Sequence, residues 1–167
     1  LIPTYGKYLL NHAKNNEKIL ALDADLVLDT GLIPFKDKYP NRFFEFGIAE
    51  QDMVSAAGGM ALNKFLPIVH SFSCFLTTRP NEQIYNNSSE STKIIYVGSL
   101  AGVIPGGTGH SHQAIRDIST LSAIPDLVAF EPSCEKELEL LLDWAININN
   151  SSSYLRINSL PFELLFN

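Results

Sequence analysis

The sequence predicts an α/β fold of three layers, in which a mostly parallel, doubly wound sheet of six strands lies between helices on both faces. Three observations carry that prediction. Apolar, β-rich runs alternate with helical patterns along the 167 residues. Most of these runs are continuous rather than alternating, as strands covered on both faces should be. The spacing from strand through helix to strand is that of βαβ crossovers.

In chain order, a helix is expected near 4–15 and a first strand over KILALDA (18–24). RFFEFGI (42–48) is the second strand, and Gly47 gives it a permissive turn into a helix near 50–63. Ala56, Ala57, Gly58, Gly59 and Ala61 give that helix a surface with almost no bulk, suited to tight packing or a dimer contact. LPIVHSF (66–72) leads to a helix near 79–88 whose start is suggested by Pro80. KIIYVGSL (93–100), a helix near 116–123, DLVAFEP (126–132), a helix near 134–148 and SYLRI (153–157) complete the alternation. The helix at 134–148 is the clearest. Leu138, Leu141, Leu142 and Ala145 fall at i, i+3, i+4 and i+7, and Glu135 and Glu137 complement the helix dipole in its first turn.

Composition narrows the function classes. Hydrophobic residues at 46% and charged residues at 18% describe one compact domain rather than a disordered chain. A net charge of −6 and the absence of a Lys/Arg cluster argue against a nucleic-acid partner. Cys74 and Cys134 show no zinc-like spacing and are read as reduced thiols of a cytoplasmic protein. Apolar stretches stop short of a membrane span. A start without Met and the apolar end PFELLFN predict a fragment of a longer chain.

Ligands of parallel sheets bind beyond the carboxyl ends of the strands, so the segments there matter most. Glu50 stands where an apolar run meets a small-residue helix. Either it is a solvated first-turn acid meeting the helix dipole, or it is a buried carboxylate that needs a partner. Phe72 and Phe75, three residues apart, are either core or a flat wall for a planar ring. His110 and His112 lie in a Gly-rich turn that contains neither GxGxxG nor GxxxxGK[ST], and no further metal ligands accompany them. A loop His is a natural proton donor or acceptor near neutral pH.

Taken together, FFEFGIAEQDMVSAAGGMAL, PIVHSFSCFLTTRPNEQI and GGTGHSHQAIRDISTLSAIPDLVAFEPSCEKE, in that order and spacing, resemble the pyrimidine-binding domain of transketolases from about Thr4 to Leu160. They resemble, slightly less, the corresponding domain of 1-deoxyxylulose-5-phosphate synthases. The resemblance implies that residues 1–167 form a pyrimidine-binding domain with a thiamine-diphosphate-binding fold. Glu50 in GIAEQ would be the acid that hydrogen-bonds the aminopyrimidine of thiamine diphosphate. Phe72 and Phe75 would surround that ring, Asp25 would lie near the cofactor and donor substrate, and His112 would act beside the substrate carbonyl and hydroxyl groups.

The departures from the family pattern concern the substrate. Thr108 stands where the family carries an Asp that reads a sugar hydroxyl, and Asp29 replaces a Ser that helps hold a phosphate. Asn81 stands near the place of a third aromatic, and a phosphate-binding His is missing around Gly98 or Leu100. Arg156 matches a phosphate-binding Arg. His110 has no family role but adjoins the substrate side with Thr108 and Arg156. The chain contains no GDG, so the diphosphate and its Mg²⁺ would be held by a diphosphate-binding domain or subunit elsewhere. A homodimer or higher oligomer acting on a small-molecule sugar is the expected assembly. The leading expectation is transfer of a two-carbon ketol unit between sugars. The alternatives are a 1-deoxyxylulose-5-phosphate synthase-like enzyme, a 2-oxo-acid dehydrogenase E1 beta-like enzyme, and a non-catalytic binding or regulatory domain of the same fold.

Overall fold

The computed structural model describes residues 1–103 and 107–158. Residues 104–106 of the Gly-rich turn and the apolar end PFELLFN lie outside the described residues. The strands are β1 (Ile19–Asp23), β2 (Phe43–Glu45), β3 (Leu66–Phe72), β4 (Ile95–Ser99), β5 (Val128–Phe130) and β6 (Ser153–Arg156). They form one six-stranded sheet in the order β2-β1-β3-β4-β6-β5. Every neighbouring pair is parallel, which sharpens the expectation of a mostly parallel sheet. The chain builds outward from β1 to β2 and then returns to β3 on the other side of β1. This puts a topological switch between β1 and β3, where the strand ends open a crevice.

Burial explains the strand composition. β1, β3 and β4 are buried along their whole length, whereas the edge strands β2 and β5 keep only three residues each and are largely exposed. The second strand was expected to run to residue 48. It ends at Glu45 because the chain leaves the sheet through Gly47, at φ 67°. The fifth begins late because Asp126 sits at φ 56°, which no strand residue adopts.

Helices α1 (Ile2–Asn15), α2 (Ile33–Lys38) and α7 (Glu135–Asn147) cover one face. There Tyr5, Leu9, Phe35, Leu138 and Leu142 pack on Ile19, Ala21, Ile68 and Val97. Helices α3 (Glu50–Leu62), α5 (Asn81–Ser89) and α6 (Asp117–Leu121) cover the other, where Met53, Val54, Ile84 and Leu121 meet Leu22, Val69 and Tyr96. Each such side chain stabilises the fold by about 1.5–3 kcal/mol through burial. The single turn α4 (Ser73–Leu76) follows β3 directly. Helix α2 was not expected, because six residues are too few to display a helical period. At α7, Leu138, Leu142 and Ala145 are buried as predicted, and Glu137 accepts the N–H and hydroxyl of Ser133, both at 2.7 Å.

The small-residue surface of α3 divides in two. Gly58 faces α5, where an added Cβ would stand 2.2 Å from Oδ1 of Asn87, and Asn87 donates to the Val54 carbonyl at 2.9 Å. Gly59 faces open space. Part of the expected tight packing is therefore made within the chain.

Two buried titratable groups face each other across β1 and β3, Asp23 being in register with His70. His70 is fully buried. Its Nδ1 lies 3.0 Å from the Leu22 carbonyl, which can only accept, so Nδ1 carries the proton and Nε2 accepts from the Tyr5 hydroxyl at 2.6 Å. Burial pushes His70 down to about 4, and burial pushes Asp23 up to about 6 against the donated bonds of Leu26 and Thr30. The unfolded chain binds a proton at His70 below the ordinary 6.5, so this group lowers stability as pH falls from 6.5 to 4. Asp23 acts in the opposite sense: the folded chain takes its proton first, and stability falls as pH rises from 3.8 to 6. The two slopes oppose each other between about 4 and 6. Each amounts to roughly 3 kcal/mol at full extent. Asp23→Asn is expected to expose the His70 slope, so that its melting temperature falls more steeply than that of the wild type on acidification from pH 6 to 4. Equal slopes in a thermal-melt series would show that Asp23 takes up no proton in the folded chain over this range.

Candidate active site

The site is built from the segments that leave β1, β2, β3 and β4. After β2, the Glu45 carboxylate accepts the backbone N–H of Asp25 at 2.8 Å and that of Gly47 at 2.9 Å. One side chain thus ties the β1 exit to the turn that enters α3. Glu50 is the first residue of α3, preceded by Ala49, which offers no side-chain cap. Its side chain is only 4% exposed. That answers the choice left open by the sequence: Glu50 is a buried carboxylate, not a solvated one.

Its partner is Arg79, a residue the sequence reading did not single out. Nη1 of Arg79 donates to Oε1 of Glu50 at 2.6 Å. Among the described residues only Arg79 donates to the carboxylate, and Oε2 is not one of the buried atoms left without a partner, so it keeps contact with the open cleft. The carboxylate borders a cleft of about 580 Å³ with Ile48, Gln51, Asp52 and Arg79. Arg79 is available because α5 starts at Asn81 rather than at the predicted 79, which leaves Arg79 in the turn between α4 and α5.

Arg79 also joins Glu50 to the aromatic pair. Its guanidinium carbon lies 3.9 Å from the Phe75 ring centroid. Phe72 and Phe75 are 5.9 Å apart at 33°. His112 lies 5.1 Å from Phe75, edge-on, and 6.3 Å from Phe72. Glu50, Arg79, Phe75, Phe72 and His112 thus form one connected cluster drawn from three loops. Phe72 is buried and Phe75 half-buried: Phe72 contributes to a small core with Cys74 and Ala114, and Phe75 lines a second cleft. That cleft, of about 550 Å³, is bordered also by Arg79, His110, Gln113 and Arg116.

The other expected residues stand further out. Asp25 is exposed at φ 61° on the β1 exit. Thr108 and His110 are exposed on the turn after β4, and Asn81 opens α5 with Nδ2 3.4 Å from the Thr77 carbonyl. Arg156 is not a free cation. Its Nε donates to Asp117 at 2.7 Å and its Nη1 to Glu131 at 2.6 Å, while Tyr154 donates to the same Asp117 oxygen at 2.9 Å. A phosphate at Arg156 would share the guanidinium with two carboxylates that repel it. Among the described residues no group of three or more His, Cys, Asp or Glu could hold a metal ion, and no helix is long and apolar enough to cross a membrane.

A buried carboxylate with one unbonded oxygen, beside an aromatic wall, fits a flat ring that presents a nitrogen-borne proton. The profile of the family described as transketolase, pyrimidine binding domain, matches residues 4–160. The chain belongs to that family. Among curated relatives, the 1-deoxy-D-xylulose-5-phosphate synthase of Clostridium acetobutylicum is 34% identical over 145 residues, 87% of this chain and 23% of the relative. That of Clostridium beijerinckii is 37% identical over the same shares. The chain thus spans about a quarter of the length of the curated relatives it matches. Among solved structures, a split-gene transketolase, an inactive beta4 tetramer, is 30% identical with a TM-score of 0.84, covering 99% of this chain and 52% of that one. The transketolase of Leishmania mexicana, at 18% identity and a TM-score of 0.84, covering 92% of this chain and 24% of that one, shares the fold.

Within this transketolase-family domain, the Glu45 bridge generates a direct test. Glu45→Gln keeps the Oε1 acceptor and is expected to leave stability within about 0.5 kcal/mol. Glu45→Ala removes it and should cost about 1–2 kcal/mol. Faster amide exchange at Asp25 and Gly47 in the Ala variant alone is the measurement that checks this; unchanged exchange would show that the bridge does not hold the loops.

Proposed function

We infer that the chain is the pyrimidine-binding part of a thiamine-diphosphate-dependent enzyme that transfers a two-carbon ketol unit between sugars. The reading rests on one observation, the unbonded Oε2 of a Glu50 side chain only 4% exposed, next to the Phe75 wall. A carboxylate so placed needs a second donor. Thiamine diphosphate, when bound, would supply a protonated aminopyrimidine nitrogen as that donor and the thiazolium chemistry of ketol transfer.

Glu50 holds a proton at the ring nitrogen through Oε2. Phe75 gives the ring an apolar face, and Phe72 behind it keeps water out. His112 has Nδ1 bonded to the Ser111 hydroxyl at 3.0 Å, so its Nε2 is left to give or take a proton at a substrate oxygen. Asp25 borders the donor side, with Thr108 and His110 on the substrate rim. Arg156 joins that rim only where a phosphate outcompetes Asp117 or Glu131. The diphosphate and Mg²⁺ belong to a partner domain or subunit, and a dimer or higher oligomer brings the two together. The free thiols of Cys74 and Cys134 suit a reducing, cytoplasmic setting.

A second reading has an observation of its own. The curated relatives at 34% and 37% identity are named 1-deoxy-D-xylulose-5-phosphate synthases, so the donor would be pyruvate rather than a ketose. Donor assays on the full-length enzyme, or on this chain with its partner subunit, separate the two. Ketol transfer from a ketose without release of carbon dioxide supports the first reading, and release from pyruvate supports the second. Saturable cofactor binding with no turnover on either donor supports a regulatory domain. In either enzyme, Glu50→Gln is expected to lower cofactor-dependent turnover by about 10²–10⁴-fold with the fold retained. Turnover equal to the wild type would defeat the assignment of Glu50.

A further inference from the structure

We propose that Arg79 is a positioning residue for this site: it locks Glu50 and Phe75 into one unit, so that the free carboxylate oxygen and the aromatic wall meet the incoming ring in fixed register. The inference rests on the reading of Glu50 given above and adds a residue to it. Arg79 uses two different parts of its guanidinium. An in-plane N–H reaches Oε1 of Glu50 at 2.6 Å, while the flat face covers Phe75 at 3.9 Å from the centroid. Only a planar, delocalised cation can do both at once, since an ammonium is a point charge with no face to stack.

The backbone supports that geometry. The Arg79 N–H donates to the Phe75 carbonyl at 3.0 Å, and Pro80 follows immediately, so Arg79 and Phe75 belong to one turn. The cation is therefore anchored to the aromatic residue that it covers before it reaches across to α3. Glu50 gains a charge-assisted bond on one oxygen only, and the other stays open for a ligand. Arg79 itself is 42% exposed, on the rim of both clefts, while Glu50 is 4% exposed. A contrary arrangement is physically possible. The guanidinium could occupy the place of the ring and have to leave before the ring binds, in which case its removal would tighten binding.

The test is calorimetric titration of thiamine diphosphate with Mg²⁺ into the full-length protein, using wild type, Arg79→Met, Arg79→Lys, Glu50→Gln, Glu50→Ala and the Arg79→Met/Glu50→Ala pair. Melting curves on each variant verify that it is folded. Arg79→Met is expected to weaken binding about tenfold, and Arg79→Lys to restore only part of the loss, because charge returns without the planar face. In the Glu50→Ala background, which offers Arg79 no acceptor, Arg79→Met should change affinity by less than about threefold, because most of its effect passes through Glu50. Three results would overturn the proposal: unchanged or tighter binding by Arg79→Met, full rescue by Lys, or the same loss in both backgrounds. Should Arg79→Met fail to fold, Arg79→Gln takes its place in the same cycle. If Glu50→Gln binds as well as the wild type, the reading of Glu50 fails, and that outcome is visible without any Arg79 variant.

Discussion

The site depends on one electrostatic constraint: the Glu50 side chain is only 4% exposed at the edge of a cleft, with a cation on one oxygen and, among the described residues, no donor on the other. An ion of that size loses several kcal/mol of hydration on burial, more than a single hydrogen bond recovers. Arg79 offsets part of that loss, but it is itself 42% exposed and screened by solvent, and a pair of that kind contributes little net stability. Glu50 is thus a poor choice for stability alone. It makes sense where a ligand completes its bonding.

The fold brings this about by topology. Reversal of strand order at β1 opens the crevice between β1 and β3, and the exits of β1, β2 and β3 deliver Asp25, Glu50 and the Phe72–Phe75 pair to it. Glu45 ties the first two exits together, and the Arg79–Glu50 ion pair ties the second to the third. His112 reaches the same cluster from the turn after β4, edge-on to Phe75.

Much of this was legible in the sequence, and the parts that were not share a physical cause. All six strands and helices α1, α3, α5, α6 and α7 were expected from the alternation of apolar runs with helical patterns, and β3 matches its predicted limits, because both faces of that strand are buried. Helices α2 and α4 carry no readable period at six and four residues. Edge strands β2 and β5 were drawn too long, since their ends are set by the positive φ of Gly47 and Asp126 rather than by hydrophobicity. At the site, Glu50, Phe72, Phe75 and His112 were marked by motif. Arg79 was not, because a lone Arg before Pro has no periodic or spacing signal and its role arises only when the α4–α5 turn folds back on α3. The ion pairs of Arg156 were hidden for the same reason: its partners Asp117 and Glu131 are 39 and 25 residues away in sequence.

The central claim concerns a single atom, the open Oε2 of Glu50. The most direct measurement is an experimental structure of the full-length protein with thiamine diphosphate and Mg²⁺ bound. The expected result is a pyrimidine nitrogen within hydrogen-bonding distance of that oxygen, about 2.7–3.2 Å, with the ring against Phe75. A bound cofactor whose pyrimidine lies away from α3, with Glu50 still bonded to Arg79 alone, would contradict the account.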